Sequence, residues 1–192
     1  LLIMTATPIP RSLSLTLYGD LALTSIRTMP LNRRPVKTMA FPDSRLRGVY
    51  NSLERYISQG RQAYYVLPII EDSDKIDLKS AMEVFEQLKN EVFPERRVEL
   101  LHGRMRQEER EGVMRRFNNG EIDVLVCTTV IEVGIDVPNA TIIVIEHAER
   151  FGLSQLHQLR GRVGRGEAQS FCILISPDDA PEESRRRIET IV

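Results

Sequence analysis

The densest cluster of residues able to do chemistry is Gln155-Leu156-His157-Gln158-Leu159-Arg160-Gly161-Arg162-Val163-Gly164-Arg165-Gly166. A guanidinium is a planar, permanently charged fork that matches phosphate oxygens two at a time. It is also the side chain suited to neutralising charge on a transferring phosphoryl group. Placed on a helix at about 100° per residue, Gln158, Arg162 and Arg165 fall at i, i+4 and i+7 and share one stripe. Leu156, Leu159 and Val163 form an apolar stripe beside it. Gly161 and Gly164 then fall inside the helix, each about 1 kcal/mol worse than Ala, so another backbone is expected to approach closely there. A solvated basic face with a helix end at 164–166 fits the same residues, and periodicity alone leaves both readings open.

A second set of residues follows strand-like runs. Thr5-Ala6-Thr7-Pro8 follows Leu1–Met4, and His102-Gly103-Arg104 follows Val98–Leu101. Thr128-Thr129, then Glu132-Val133-Gly134-Ile135-Asp136, follow Ile122–Cys127. Ligands of open parallel sheets gather beyond the carboxyl ends of the strands. Small, hydroxylic residues and glycine there let backbone N–H groups reach phosphate oxygens. A threonine after a strand is also an ordinary helix cap, so each end alone says little. Three such ends on one edge point to an anion or nucleic-acid site.

What the sequence lacks is equally informative. There is no GxxxxGK[ST] loop and no Asp-Glu strand pair for Mg2+, so a nucleoside triphosphate site would need parts from elsewhere. No GxGxxG follows a strand, which excludes a dinucleotide-binding oxidoreductase of the usual kind. Cys127 and Cys172 lie in apolar runs without metal-ligand spacing and read as buried, reduced thiols; no metal site is expected. His147 and His157 read as surface or packing residues. Glu108-Glu109 opens a helix and favours its dipole. Glu71-Asp72-Ser73-Asp74 reads as a solvated loop, and Arg185-Arg186-Arg187 as a charged helix face, with nucleic-acid contact as the other reading.

The elements that must position these residues alternate. Strands are expected at Leu1–Met4, Val36–Phe41, Ala63–Leu67, Val98–Leu101, Ile122–Cys127, Thr141–Ile145 and Ser170–Ile175. Helical spacing links Leu46, Val49, Tyr50, Leu53 and Ile57, then Leu78, Ala81, Met82, Phe85 and Leu88, then Arg110, Val113, Met114 and Phe117. That alternation predicts an α/β fold, a parallel sheet with helices on both faces. The 192 residues carry 26 Lys+Arg and 27 Asp+Glu, a net charge of -1, with 42% hydrophobic residues. This composition suits a globular chain and excludes collagen-like, mucin-like and disordered ones. Lysine occurs only at 37, 75, 79 and 89, so the basic charge is almost all arginine. No apolar run approaches the roughly 20 residues of a membrane span, and Leu1–Met4 lacks the basic start of a signal peptide. A cytoplasmic protein is expected. Met29-Pro30-Leu31-Asn32-Arg33-Arg34-Pro35 reads as a linker. The chain starts with Leu, inside an apparent strand, so it is expected to be a piece of something longer.

These motifs together resemble those of superfamily 2 helicases. Thr5-Ala6-Thr7 resembles motif III, Val124 to Asp136 motif V, and Gln158 to Arg165 the QxxGRxGR of motif VI. Thr5-Ala6-Thr7-Pro8-Ile9-Pro10-Arg11 and Phe151 to Arg165 are similar to the RecG and Mfd families of double-stranded DNA translocases. Leu17-Tyr18-Gly19-Asp20-Leu21, Leu67 to Ser73, Leu101 to Met105 and Val137-Pro138-Asn139-Ala140 favour RecG. Two positions depart from the family: Pro30-Leu31-Asn32-Arg33 stands where Pro-Gly-Arg is usual, and His147 where Asn is commoner.

The resemblance implies a RecA-like second helicase domain over 36–192, its C-terminal extension truncated, preceded at 1–35 by the tail of domain 1 and a linker. It implies an ATP-dependent motor that remodels branched DNA (stalled forks, Holliday junctions) in repair and recombination. Arg165 would be the finger on the γ-phosphate, Arg162 its neighbour on the same phosphate, and Gln158 a coupling residue. Glu132, Gly134 and Asp136 would lie near the nucleotide and domain interface. His102, Gly103, Thr128 and Thr129 would touch the DNA backbone, and Thr5 and Thr7 would couple hydrolysis to movement. ATP and Mg2+ would be held mostly by domain 1. Partners would be branched DNA and the chain's own domain 1 and wedge domain, with the protein a monomer. An Mfd-type translocase, whose partner is RNA polymerase, and a non-catalytic nucleic-acid-binding module are the alternatives.

Overall fold

The computed structural model describes residues 34–68, 74–128 and 137–192, with side chains omitted at 74–77. The chain divides between Leu31 and Asn32, and the second unit is described by itself. Its strands are β1 (Lys37–Pro42), β2 (Gln62–Leu67), β3 (Val98–Leu101), β4 (Val124–Thr128), β5 (Ala140–Ile145) and β6 (Phe171–Ser176). They form one sheet of order β1-β6-β5-β2-β4-β3, and every pairing is parallel. The helices are α1 (Leu46–Ile57), α2 (Asp74–Gln87), α3 (Gln107–Asn118), α4 (Leu153–Arg160) and α5 (Glu182–Glu189). This is the expected α/β fold.

The sheet is buried on both faces because successive strand side chains point opposite ways. Tyr64, Val66, Leu125, Cys127, Ile143, Ile145, Cys172 and Leu174 pack on one side, with Val113, Met114 and Phe117 of α3, Leu156 and Leu159 of α4 and Ile188 of α5. Ala63, Tyr65, Leu67, Val124, Val126, Ile142, Val144 and Ile173 pack on the other, with Val49, Leu53 and Ile57 of α1 and Ala81 of α2. Burial on both sides explains why the central strands read as unbroken apolar runs.

Each expected strand within the described residues is present, shifted by at most two residues at an end. Leu1–Met4 lies outside the described residues. In α2 the expected apolar stripe includes Met82, which is 49% exposed. Ala81 and Leu88 of the same expected stripe are buried, and Met82 projects roughly a quarter-turn from the direction they share. The two cysteines are free and buried, and burial pushes the Cys172 thiol up to about 12 and raises that of Cys127.

Side-chain chemistry also fits the helix ends. Glu109 accepts the Arg106 backbone N–H at 2.9 Å and closes the start of α3, so the Glu108-Glu109 pair serves the helix end. The arginine triplet of α5 is committed to local structure. Arg185 donates to the Ala180 carbonyl, Arg186 pairs with Glu182, and Arg187 donates to the Glu149 carbonyl.

The prediction from this packing concerns Leu53, which is fully buried between α1 and the sheet. Leu53→Ala should lower the stability of the chain by about 2–5 kcal/mol in urea denaturation.

Candidate functional site

The described candidate residues lie at two opposite edges of the sheet. His102 and Gly103 follow β3, and Thr128 ends β4, the neighbouring strand. Leu101 pairs with Cys127, so His102 stands beside Thr128 at the carboxyl edge. Thr128 is 2% exposed. Its Oγ1 and the Nδ1 of His102 are buried and have no hydrogen-bond partner among the described residues. Buried polar atoms are normally satisfied, so two orphans on neighbouring strand ends set this part of the carboxyl edge apart. Burial first, then the Arg104 charge, holds the His102 imidazole below its usual pKa, with Glu109 opposing. Gly103 is exposed beside them.

Arg162 and Arg165 lie at the amino edge. The helix α4 ends at Arg160, where Gly161 caps it with its N–H on the His157 carbonyl. The chain then turns, Arg162 N–H donating to Leu159 and Val163 N–H to Arg160. Gly164 has φ +78°, and a Cβ there would lie 2.6 Å from Val36 Cγ2. A helix through Arg165 is therefore excluded: Gln158 is helical, while Arg162 and Arg165 sit on a turn and a loop. The single helical stripe expected for the three is corrected to this helix-end loop. Backbone approach occurs at Gly166, where a Cβ would lie 2.9 Å from the Pro138 carbonyl oxygen, rather than at the two interior glycines expected from periodicity. The apolar part of the expectation holds: Leu156, Leu159 and Val163 are all buried.

The loop brings two cations together. Burial lowers the Arg162 pKa, the neighbouring Arg165 lowers it further, and Tyr64 of β2 opposes. Arg165 donates from Nε to the Gly161 carbonyl at 3.2 Å. A half-buried guanidinium next to another is a site that an anion relieves. Gln158 is exposed on α4. His157 and Arg160 are structural neighbours, Arg160 donating to the Ile191 carbonyl and contacting His157 Nδ1 at 2.9 Å. Thr5, Thr7, Thr129, Glu132, Gly134 and Asp136 lie outside the described residues, as do Glu71 to Ser73. Among the described residues, no three His, Cys, Asp or Glu side chains cluster as a metal site. No helix there is long and apolar enough to cross a membrane.

The model for the helicase conserved C-terminal domain matches residues 48–167. The chain belongs to the helicase conserved C-terminal domain family. Within this family it is 53% identical over 185 residues to the ATP-dependent DNA helicase RecG of Thermotoga maritima, covering 96% of this chain and 24% of that protein. It is 48% identical over 185 residues to the RecG of a Synechocystis species, covering 96% and 22%. A solved structure of RecG bound to a three-way DNA junction superposes with a TM-score of 0.81 at 49% identity, covering 96% of this chain and 24% of that one. The RecG likeness carried by the motifs is borne out along nearly the whole chain. The chain spans about a quarter of the length of the curated relatives it matches.

Sequence reasoning missed two features of this helicase domain. His147 is the one non-glycine residue with positive φ, at 51°, among the described residues. Asn, Asp and His are the non-glycine residues that most often adopt that left-handed conformation. The second is a pair of amides at the amino edge. Gln62 opens β2, is 3% exposed, and donates from Nε2 to the carbonyls of Phe117 at 2.6 Å and Ile122 at 2.7 Å. Asn139 donates from Nδ2 to Gln62 Oε1 at 3.2 Å and to the Gly60 carbonyl at 2.9 Å. The available signal was a polar residue heading an otherwise apolar run, Gln62-Ala63-Tyr64-Tyr65-Val66-Leu67.

Two predictions follow from this geometry. The folded-state pKa of His102 lies below about 6.5, so the unfolded chain binds its proton first. Its contribution to stability is then fully present above about pH 6.5 and is lost as pH falls toward the folded value; an NMR titration of His102 should read a pKa below that of a free imidazole. Gly164→Ala should cost about 1–2 kcal/mol from the left-handed backbone alone, and more from the Val36 contact, measured by thermal unfolding.

Proposed function

We propose that this chain is the second motor domain of an ATP-driven double-stranded DNA translocase of the RecG type, acting in the cytoplasm on branched DNA. The observation that carries this reading is the Arg162–Arg165 pair: two neighbouring cations, one half-buried, on a loop held by the close packing of Gly164 and Gly166. Such a pair fits a polyphosphate. Arg165 reaches the γ-phosphate of ATP, Arg162 supports it, and Gln158 couples the cleft to the rest of the domain. Hydrolysis supplies the free energy, and these side chains neutralise the charge that builds on the transferring group. Glu132, Gly134 and Asp136 complete this side of the nucleotide site. Mg2+ and the remaining phosphate contacts belong to a first motor domain, of which residues 1–35 are the tail and linker, with Thr5 and Thr7 as coupling residues.

His102, Gly103, Thr128 and Thr129 take the DNA backbone at the opposite edge. The exposed Gly103 just after β3 supports this, since backbone N–H groups at such a strand end suit phosphate oxygens. The extensive identity to named RecG helicases supports the choice of branched DNA over the RNA polymerase partnership of the Mfd type. A net charge of -1 leaves little electrostatic attraction for DNA in this chain alone, so the full protein is the motor.

The test is ATP hydrolysis by the full-length protein on branched DNA, wild type against Arg165→Ala. Hydrolysis should fall by about 10³-fold, with folding and DNA binding retained. Unchanged hydrolysis would overturn the reading.

A further inference from the structure

The arginine loop has no regular structure of its own after Arg160, yet a finger must be held to a fraction of an ångström. What holds it is visible on the neighbouring strands. Gly166 packs its backbone on the Pro138 carbonyl so closely that no Cβ fits. Pro138 belongs to the turn before β5, closed by Ala140 N–H on the Val137 carbonyl at 3.0 Å. The next residue of that turn, Asn139, is tied twice to the start of β2. Its carbonyl accepts the Gln62 backbone N–H at 3.1 Å, and its side chain donates to Gln62 Oε1 and the Gly60 carbonyl. Gln62 itself is anchored by two short donor bonds to the end of α3 and the approach to β4. A continuous chain of contacts therefore runs Phe117–Gln62–Asn139–Pro138–Gly166, ending beside Arg165.

We infer that the Gln62–Asn139 amide pair is a positioning device for the arginine loop, fixing the Pro138 turn against which Gly166 and hence Arg165 are set. This rests on the motor reading above. Both side-chain amides are engaged with protein groups, so the role is one of positioning. The pair suits the task because an amide can donate and accept at once. Gln62 donates to two carbonyls with its nitrogen while accepting from Asn139 with its oxygen, which no apolar or purely acidic side chain of that size can do. Two further amino-edge contacts secure the other end of the same loop: Arg61 donates to the Gln169 carbonyl at 3.1 Å, and Gln169 to the Pro35 carbonyl at 2.9 Å.

The experiment is a double-mutant cycle in the full-length protein, following DNA-stimulated ATP hydrolysis. Asn139 is exposed, so Asn139→Ala leaves the core intact; Gln62→Met, nearly equal in size but without the amide, is the second variant. Each should lower kcat by about 10- to 10²-fold, the scale of a misplaced catalytic group, with KM for ATP and affinity for branched DNA little changed. In the Arg165→Ala background, neither should cause further loss, because the group they position is gone. Leu53→Ala, on the opposite face of the sheet, serves as the control for lost stability alone and should keep wild-type kcat below its unfolding temperature.

Wild-type kcat in both amide variants, with Arg165→Ala impaired, would overturn this inference and leave the motor reading intact. Losses that multiply with that of Arg165→Ala would also overturn it, since the amides would then act independently of the arginine. Wild-type hydrolysis by Arg165→Ala would instead remove the motor reading, and the positioning role with it.

Discussion

All strands of the sheet run the same way, and the rest of the architecture depends on that constraint. A parallel strand cannot return through a tight hairpin, so each connection must carry the chain back across the sheet. Those crossovers lay α1 and α2 on one face and α3, α4 and α5 on the other. They also divide the chemistry. Residues just after a strand gather at the carboxyl edge, as His102 and Thr128 do. Residues at the far end of a returning helix emerge at the amino edge, as Arg162 and Arg165 do. The length of the strands, about 17–20 Å for five or six residues, separates the two. A domain built this way holds a pair of neighbouring arginines and a second polar cluster at opposite ends of the same strands.

The two edges differ in how their polar groups are satisfied. At the amino edge, side chains lace the loops together: Gln62 with Asn139, Arg61 with Gln169, and Arg97 with Asp123 through paired bonds of 3.1 and 2.6 Å. Within it Gln62 is buried, where the low dielectric strengthens its bonds and makes a gap costly. At the carboxyl edge, His102 and Thr128 keep buried polar atoms without partners among the described residues. Neither edge is uniform, since Thr141 near the amino end of β5 also has an Oγ1 unpartnered among the described residues and Tyr65 donates to Glu146 at 2.6 Å at the carboxyl end.

Much of this was legible in the sequence because burial on both faces leaves unmistakable apolar runs. The strands of the described residues appear within two positions of their expected bounds, and α1 buries Val49, Leu53 and Ile57 as its spacing requires. The reading failed at 161–165, where periodicity carried a helix through two glycines. The left-handed Gly164 and the Val36 side chain against it are long-range facts that no local pattern contains. The role of Gln62 was hidden for the same reason, since its partners at Phe117, Ile122 and Asn139 come from distant parts of the chain. Apolar periodicity reports which side of an element is buried; it does not report which loops meet at its ends.

The strand order also has a consequence for how the domain is made. The first strand, β1, pairs only with the last, β6, in register from Lys37 with Phe171 to Pro42 with Ser176. During synthesis from the N-terminus, β1 therefore waits without a strand partner until nearly the whole domain has left the ribosome. Until then, Met39 and Phe41 present apolar surface, and β5 presents an open edge of the kind that recruits other chains. Such long-range parallel pairing is intrinsically slow. β6 enters the sheet between β5 and β1, and the same strand is preceded directly by the arginine loop. Placement of β6 and of the arginine loop are thereby coupled, since Gly164 packs on Val36 just before β1 and Gly166 on Pro138 just before β5.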